Sequence, residues 1–133
     1  MAEVRRGEGW SAANLDDLGE GPGFRKVRNQ LGVEAFGVNA VVLPAGYATG
    51  RHFHERQEEL YLVLDGEIEF TLGEGEGAEH VTFGRGGLVR VAPAKVRSLR
   101  NTSPDTEAVY FAVGAEGGYV GRDGRQPGAQ TLR

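Results

Sequence analysis

The chain of 133 residues contains no cysteine. Disulfide bonds, thiolate zinc sites and cysteine nucleophiles are therefore excluded. No apolar run approaches the roughly 20 residues that span a bilayer, and the first ten residues, MAEVRRGEGW, lack the apolar core of a signal peptide. Histidine is scarce, with three residues, so little is left from which to build a serine triad. We expect a cytoplasmic protein with no membrane partner.

The charge is balanced and slightly acidic. There are 15 Lys and Arg against 19 Asp and Glu, a formal net charge of −4, and the two signs are interspersed. This leaves no basic stripe for nucleic acid, so we expect no nucleic-acid partner. A chain of this length forms one domain that buries roughly two thirds of its unfolded surface. This is enough for the chain to fold without disulfide or structural-metal cross-links.

Glycine is abundant, at 22 residues, or about twice the usual share. The glycines separate short apolar runs with no strong helical period, which predicts an all-β sandwich or small closed barrel. Residues 1–22 are predicted to form a loose N-terminal arm with a possible helical turn in SAANLDDLGE, and residues 116–133 a Gly-rich C-terminal tail. The predicted strands are 24–28, 34–43, 47–54, 59–65, 67–72, 79–83, 88–92, 96–101 and 107–113.

One spaced pattern carries most of the chemistry. Gly46, His52, His54, Glu59 and Gly66 follow one another with five, one, four and six residues between them. Residues i and i+2 of a strand share a face, so both imidazoles can enter one pocket. The turn after them lets the carboxylate approach from the neighbouring strand. Two imidazoles and a carboxylate are suitable ligands for a divalent transition metal. The alternative interpretation of the same sequence is that the two histidines are surface residues on a polar turn.

This pattern matches the first motif of the cupin superfamily, which the chain resembles over roughly residues 34–113. The resemblance implies that His52, His54 and Glu59 are metal ligands and that Gly66 makes the turn after the Glu59 strand. It implies a double-stranded β-helix, or jelly roll, over residues 23–115. Asp65-Gly66 between alternating runs is also a strong hairpin signal in its own right.

The second cupin motif is incomplete. Gly87, Pro93 and Asn101 stand in recognisable places, but the segment is one residue short and has no histidine, which in the family is normally the remaining protein ligand. Counting back from Asn101 puts Arg97 at the ligand position. Counting forward from Pro93 puts Ser98 there.

We favour Arg97, since a one-residue deletion is absorbed more easily in the turn at Pro93–Lys95 than in the strand after it. Arginine stays protonated and cannot coordinate a cation. Two hypotheses follow. Either His52, His54 and Glu59 hold a metal while Arg97 clamps an acidic substrate, or Arg97 pairs with Glu59 and the metal is lost.

The alternation of side chains along a strand predicts which residues line the pocket. If Glu59 faces inward, so do Tyr61 and Val63; if Arg97 does, so does Leu99. Tyr61 could bind substrate through its hydroxyl, or it could be a large core residue with its hydroxyl at the rim.

The resemblance leaves the reaction open. It implies a small-molecule ligand, a homodimer, and a cofactor that is a divalent ion of iron, manganese, nickel, zinc or copper. The function expected is that of a metal-dependent oxygenase or isomerase acting on a small acidic or carbonyl compound. The alternative is a non-catalytic cupin that binds a sugar or carboxylate, with or without metal. No residue is assigned as catalytic, and His80, after a glycine-rich turn, is left out of the site.

Overall fold

Short antiparallel strands make up almost all of the regular structure. The structure is a computed structural model that describes residues 3–117, 125–126 and 130–131. Within these residues the helical segments are α1 (Val27–Leu31) and two 3-10 turns, Leu15–Leu18 and Gly75–Gly77. The strands are β1 (Arg5–Gly7), β2 (Trp10–Ala12), β3 (Gly23–Arg25), β4 (Gly37–Leu43), β5 (Glu58–Asp65), β6 (Ile68–Leu72), β7 (Glu79–Phe83), β8 (Leu88–Val91), β9 (Arg97–Asn101), β10 (Ala108–Ala115), β11 (Arg125–Gln126) and β12 (Gln130–Thr131).

Two sheets enclose the main core. One has the strand order β3-β4-β10-β5-β8 and the other β7-β6-β9, with every pair antiparallel. Inward residues of both sheets pack into one apolar cluster, which is what stabilises two half-buried sheets in water. The predicted all-β jelly roll is confirmed. The best-buried members of the cluster are Leu43, Val63, Ile68, Phe70, Leu99 and Ala108.

The β5–β6 hairpin forms as the sequence predicts. Gly66 has φ +79°, and a Cβ there would lie 2.8 Å from the Cβ of Ala108, so the turn requires glycine. The Gly66 amide donates to Asp65 Oδ1 at 3.0 Å. Along β5 the side chains of Tyr61 and Val63 are buried, as the alternation predicts.

The prediction of a strand over residues 47–54 is wrong. This segment runs beside β9 but pairs with it only at two isolated bridges, Ala48 with Arg100 and His52 with Arg97. Gly50 and the polar residues after it give no apolar alternation to hold a continuous ladder. Backbone bonds at intervals still fix the segment, including the reciprocal pair between His52 and Arg97 at 3.0 and 2.9 Å.

The predicted strand 24–28 is also corrected. Only β3 is extended, and the chain then turns into α1, which ends at Gly32 in the left-handed region with φ 76°. The stretch predicted as an arm contains the β1–β2 hairpin and the first 3-10 turn. Its Leu18 packs with Val27 and Val38 in a second, smaller apolar cluster.

The C-terminal segment is only partly described. Of residues 116–133, the predicted Gly-rich tail, those at 118–124, 127–129 and 132–133 lie outside the described residues, and β11 pairs with β12. Nowhere in the described chain is there a helix long and apolar enough to span a bilayer.

Candidate metal centre

Three potential metal ligands converge in one group, which is formed by His52, His54 and Glu59. His54 Nε2 lies 3.2 Å from Glu59 Oε1, and His52 Nε2 lies 4.0 Å from the same oxygen. One ligand atom from each residue can be chosen so that all three lie within 4.8 Å of one another. The two imidazole rings are 5.4 Å apart and nearly perpendicular. The structure thus brings together the two histidines and the carboxylate that the spacing indicated.

Backbone contacts place these side chains. His52 is held by its bridge to Arg97, and the amide of His54 donates to the carbonyl of Pro93 at 2.9 Å. The chain then reverses through three polar residues, and β5 begins at Glu58. Glu59, one residue into the strand, faces the pocket. Both histidines therefore share the pocket with Glu59 although their segment is not a regular strand.

The neighbours of Glu59 confirm which face of β5 is inward. Glu58 points outward, where its carboxylate accepts a hydrogen bond from Arg90 on the next strand. The third histidine, His80, lies on β7, where its ring is 3.0 Å from the hydroxyl of Thr71. His80 is thus on the three-stranded sheet, outside the group formed by the other two histidines.

Tyr61 is tied directly to Glu59. Its hydroxyl donates to Glu59 Oε1 at 2.5 Å. Burial first, then this hydrogen bond and the Glu59 charge, raise the pKa of Tyr61 above its ordinary value, against a smaller opposing effect of Arg97. Burial, followed by the Glu59 charge, raises the pKa of Tyr110 to about 12. Both phenols therefore stay protonated at neutral pH, and Tyr61 serves Glu59 as a hydrogen-bond donor.

Arg97 occupies the position opposite His52, and its side chain is 0% exposed. Its two terminal nitrogens donate to the carbonyls of Pro93 at 3.3 Å and Ala92 at 3.1 Å. Its Nε lies 3.8 Å from Glu59 Oε1 and has no hydrogen-bond partner. Ser98 pairs with Thr71 in the β6–β9 register and belongs to the other face of β9. Arg97, not Ser98, therefore faces the histidine and glutamate cluster.

The cluster opens into a cavity of about 380 Å³. Several of its walls were not predicted from the sequence. Tyr110 could have been found from the alternation of β10, in which Ala108 and Tyr110 are buried, but Gln57 and Asn39 gave no signal. The cavity is lined by Phe24, Gly37, Val38, Asn39, Val41, His52, His54, Gln57, Glu59, Tyr61, Tyr110, Ala112 and Gly114.

The donor set fits a divalent metal ion. Ligand atoms bound to one ion at 2.0–2.2 Å lie about 3 Å apart, and the His54–Glu59 pair already has this spacing. His52 lies slightly further out, on a side chain that is 43% exposed and has room to adjust. The hydrogen bond from Tyr61 goes to this same oxygen, Glu59 Oε1, whose second lone pair stays available for an ion. Two imidazoles and one carboxylate are a ligand set for iron, manganese, nickel, zinc or copper.

The comparisons with known proteins agree with this fold. The family model described as the cupin domain matches residues 39–114. No curated protein matches the sequence.

Several solved structures share the fold. A cupin protein from Bacteroides fragilis superposes with a TM-score of 0.71 at 21% identity, over 90% of this chain and 98% of that one. A protein with a double-stranded β-helix domain from Klebsiella pneumoniae gives 0.55 at 22% identity, over 62% and 69%. A predicted oxalate decarboxylase from Thermotoga maritima gives 0.54 at 26% identity, over 62% and 68%.

Proposed function

This chain belongs to the cupin family, and we propose that it holds one divalent transition-metal ion on His52, His54 and Glu59 and binds a small carboxylate beside it. The observation that carries the proposal is the convergence of the three ligand atoms in the lining of the 380 Å³ cavity. A cavity of this size falls in the usual range for small-molecule sites.

The charges of the pocket support an anionic ligand. Glu59 is the acidic residue among the described residues that line the cavity. Arg97 does not line it, but its Nε lies 3.8 Å from Glu59 Oε1, so the two charges offset each other. A divalent ion would therefore leave the pocket with a net positive charge in a partly dehydrated setting, where charge acts strongly. The guanidinium of Arg97 is buried and bonded to two carbonyls, so it would not contact the ligand. Its role in substrate binding would be the electrostatic attraction that its positive charge exerts on an anionic ligand beyond Glu59.

The remaining residues would orient the ligand and exclude water. When bound, the ion would supply a Lewis acid that polarises a carboxylate or carbonyl oxygen. Tyr61 holds Glu59 in place through its hydroxyl. Gln57 and Asn39 offer amide groups at the cavity wall, and Tyr110 closes its apolar side. This arrangement suits decarboxylation, oxygenation or isomerisation of a small acid. The similarity to a predicted oxalate decarboxylase from Thermotoga maritima favours the first.

Metal content tests the proposal. The protein should be purified without a polyhistidine tag and analysed by mass spectrometry of its metals, as purified and after loading and desalting. We expect about one equivalent of ion in the wild type and a severe loss in His52→Ala, His54→Ala and Glu59→Gln.

Two matched controls are available in this chain. His80→Ala removes the third histidine, and Glu58→Gln removes the adjacent outward carboxylate; both should keep wild-type metal content. Wild-type protein that retains less than about a tenth of an equivalent, or site variants that bind as much as the controls, would overturn the metal proposal.

The second candidate is a metal-free binding module, favoured by one observation. Arg97 Nε lies 3.8 Å from Glu59 Oε1, so the two can compensate each other without an ion. In that case the pocket is neutral overall, and its ligand would be a neutral molecule such as a sugar. Calorimetric titration of oxalate and of a neutral sugar into metal-loaded and chelator-treated protein separates the candidates. Oxalate binding that needs the ion supports the first, and sugar binding that is equal in both states supports the second.

A further inference from the structure

A second cavity of about 370 Å³ adjoins the cavity of the candidate metal centre. It lies between β3, β4 and the segment after β4, and none of the described residues that line it is charged. Two of its walls are aromatic side chains that remain largely exposed, Phe24 at 63% and Tyr47 at 53%. Exposed aromatic surface beside a concave apolar wall is costly in water and is a common sign of a binding surface.

The two cavities share walls. Phe24, Val41 and Tyr110 line both of them. Val41 and Tyr110 are core residues and are 7% exposed, so this shared wall is rigid. Phe24 is its exposed part and lies on β3, where it pairs with Val41 of β4. A ligand with its polar end at the histidines can therefore extend past Phe24 into the apolar cavity.

We propose that the apolar cavity is the subsite for the hydrophobic part of the ligand, so that the ligand is an amphipathic carboxylate such as an aryl-alkanoic or medium-chain acid. This inference rests on the proposed function, which places the carboxylate end at the metal centre. An apolar cavity of roughly 150 Å³ is large enough to hold benzene. The volume here accommodates a phenyl group or a short alkyl chain against Tyr47 and Phe24, which both line the cavity.

Two acids with the same head group test the subsite. Propionate and 3-phenylpropionate are titrated calorimetrically into the full-length, zinc-loaded protein. Burial of the phenyl group should make 3-phenylpropionate bind about tenfold tighter than propionate, or more. Equal affinities for the two acids would overturn the subsite while leaving the metal proposal standing. Failure of both acids to bind would overturn the subsite and the carboxylate site together.

Variants locate the effect. Tyr47→Ala removes one wall, and Gly50→Leu adds a bulky side chain to the cavity lining, where a Cβ would meet no atom within 4 Å. Both should reduce the preference for 3-phenylpropionate several-fold and leave propionate affinity and zinc content unchanged. The matched control is Phe36→Ala, which removes an aromatic ring that is 43% exposed and lines neither cavity. A preference that survives in both variants, or that falls equally in the control, would also overturn the assignment.

Discussion

Arg97 Nε lies 3.8 Å from Glu59 Oε1, and the Arg97 side chain has no exposed surface. The separation is too long for a hydrogen bond, so the two groups interact through charge. Among the described residues, Arg97 Nε is the one buried side-chain nitrogen or oxygen without a hydrogen-bond partner. Glu59 is therefore a candidate metal ligand and also the nearest counter-charge of a buried cation.

Breaking this pair should destabilise the fold. In the presence of a chelator, Glu59→Gln should lower the free energy of unfolding by about 3 kcal/mol, because it leaves the Arg97 charge buried without compensation. Arg97→Met should also be destabilising, since the carbonyls of Ala92 and Pro93 lose their donors. The double variant should cost less than the two single changes together, by about 1 kcal/mol or more. Urea unfolding measures all three.

The control for this cycle is the outward ion pair of Glu58 with Arg90, whose side chains are 54% and 62% exposed. Glu58→Gln should change stability by less than about 1 kcal/mol. Strictly additive costs for the Glu59 and Arg97 substitutions would show that the two charges are not coupled.

Arg97→His should strengthen metal binding. It replaces a buried cation by a neutral donor at the position paired with His52, and so it removes a repulsion and adds a ligand. We expect metal affinity to rise at least about tenfold, measured by competition with a chromophoric chelator.

Ser98→His is the matched control, because Ser98 lies on the other face of β9 opposite Thr71. It should leave the affinity unchanged. A gain in Ser98→His with none in Arg97→His would mean that the position facing the metal has been misassigned.

Tyr61→Phe should weaken metal binding while preserving the fold. The Tyr61 hydroxyl orients Glu59 through a 2.5 Å hydrogen bond, and loss of such a supporting contact typically costs about 10-fold to 100-fold in metal affinity. Tyr110→Phe removes a second hydroxyl from the same cavity without touching that bond and serves as the control. Equal affinities in the two variants would argue against a positioning role for Tyr61.

The tyrosines of the pocket should lose their phenol protons at a higher pH than a tyrosine in the unfolded chain. Burial and the Glu59 charge raise the pKa of Tyr110 to about 12, above an unfolded value of about 10. Since the folded pKa is the higher one, its contribution to stability is fully present below about pH 10 and is lost as pH rises through about 12. Ultraviolet difference spectra at 295 nm, with Tyr110→Phe subtracted, measure this step.

Glu59→Gln removes one cause of the shift, so it should move the Tyr110 step to lower pH. A Tyr110 step centred near pH 10 in the folded protein would contradict the burial of its hydroxyl.

Much of the fold was predictable because local and global signals agree. Alternation along β5 and β6 and the Asp65-Gly66 turn predicted a hairpin that the core then uses. The segment before the hairpin, residues 47–54, was predicted as a strand but forms only two isolated bridges. Its residues lack the cross-strand partners that make a strand continuous, and a sequence does not reveal those partners. The homodimer and the cytoplasmic location stay predictions.

Strand period and turn chemistry, which are local properties of the chain, determined an all-β sandwich or barrel, and the ligand spacing indicated the grouping of His52, His54 and Glu59. The resemblance to the cupin motif narrowed the architecture to the jelly roll. Only the tertiary structure decided that Arg97 rather than Ser98 faces the cluster, because one residue of register turns a side chain to the opposite face. The same holds for Tyr110, which comes from a strand far along the chain. What each of these groups does depends on distances to partners that only folding brings together.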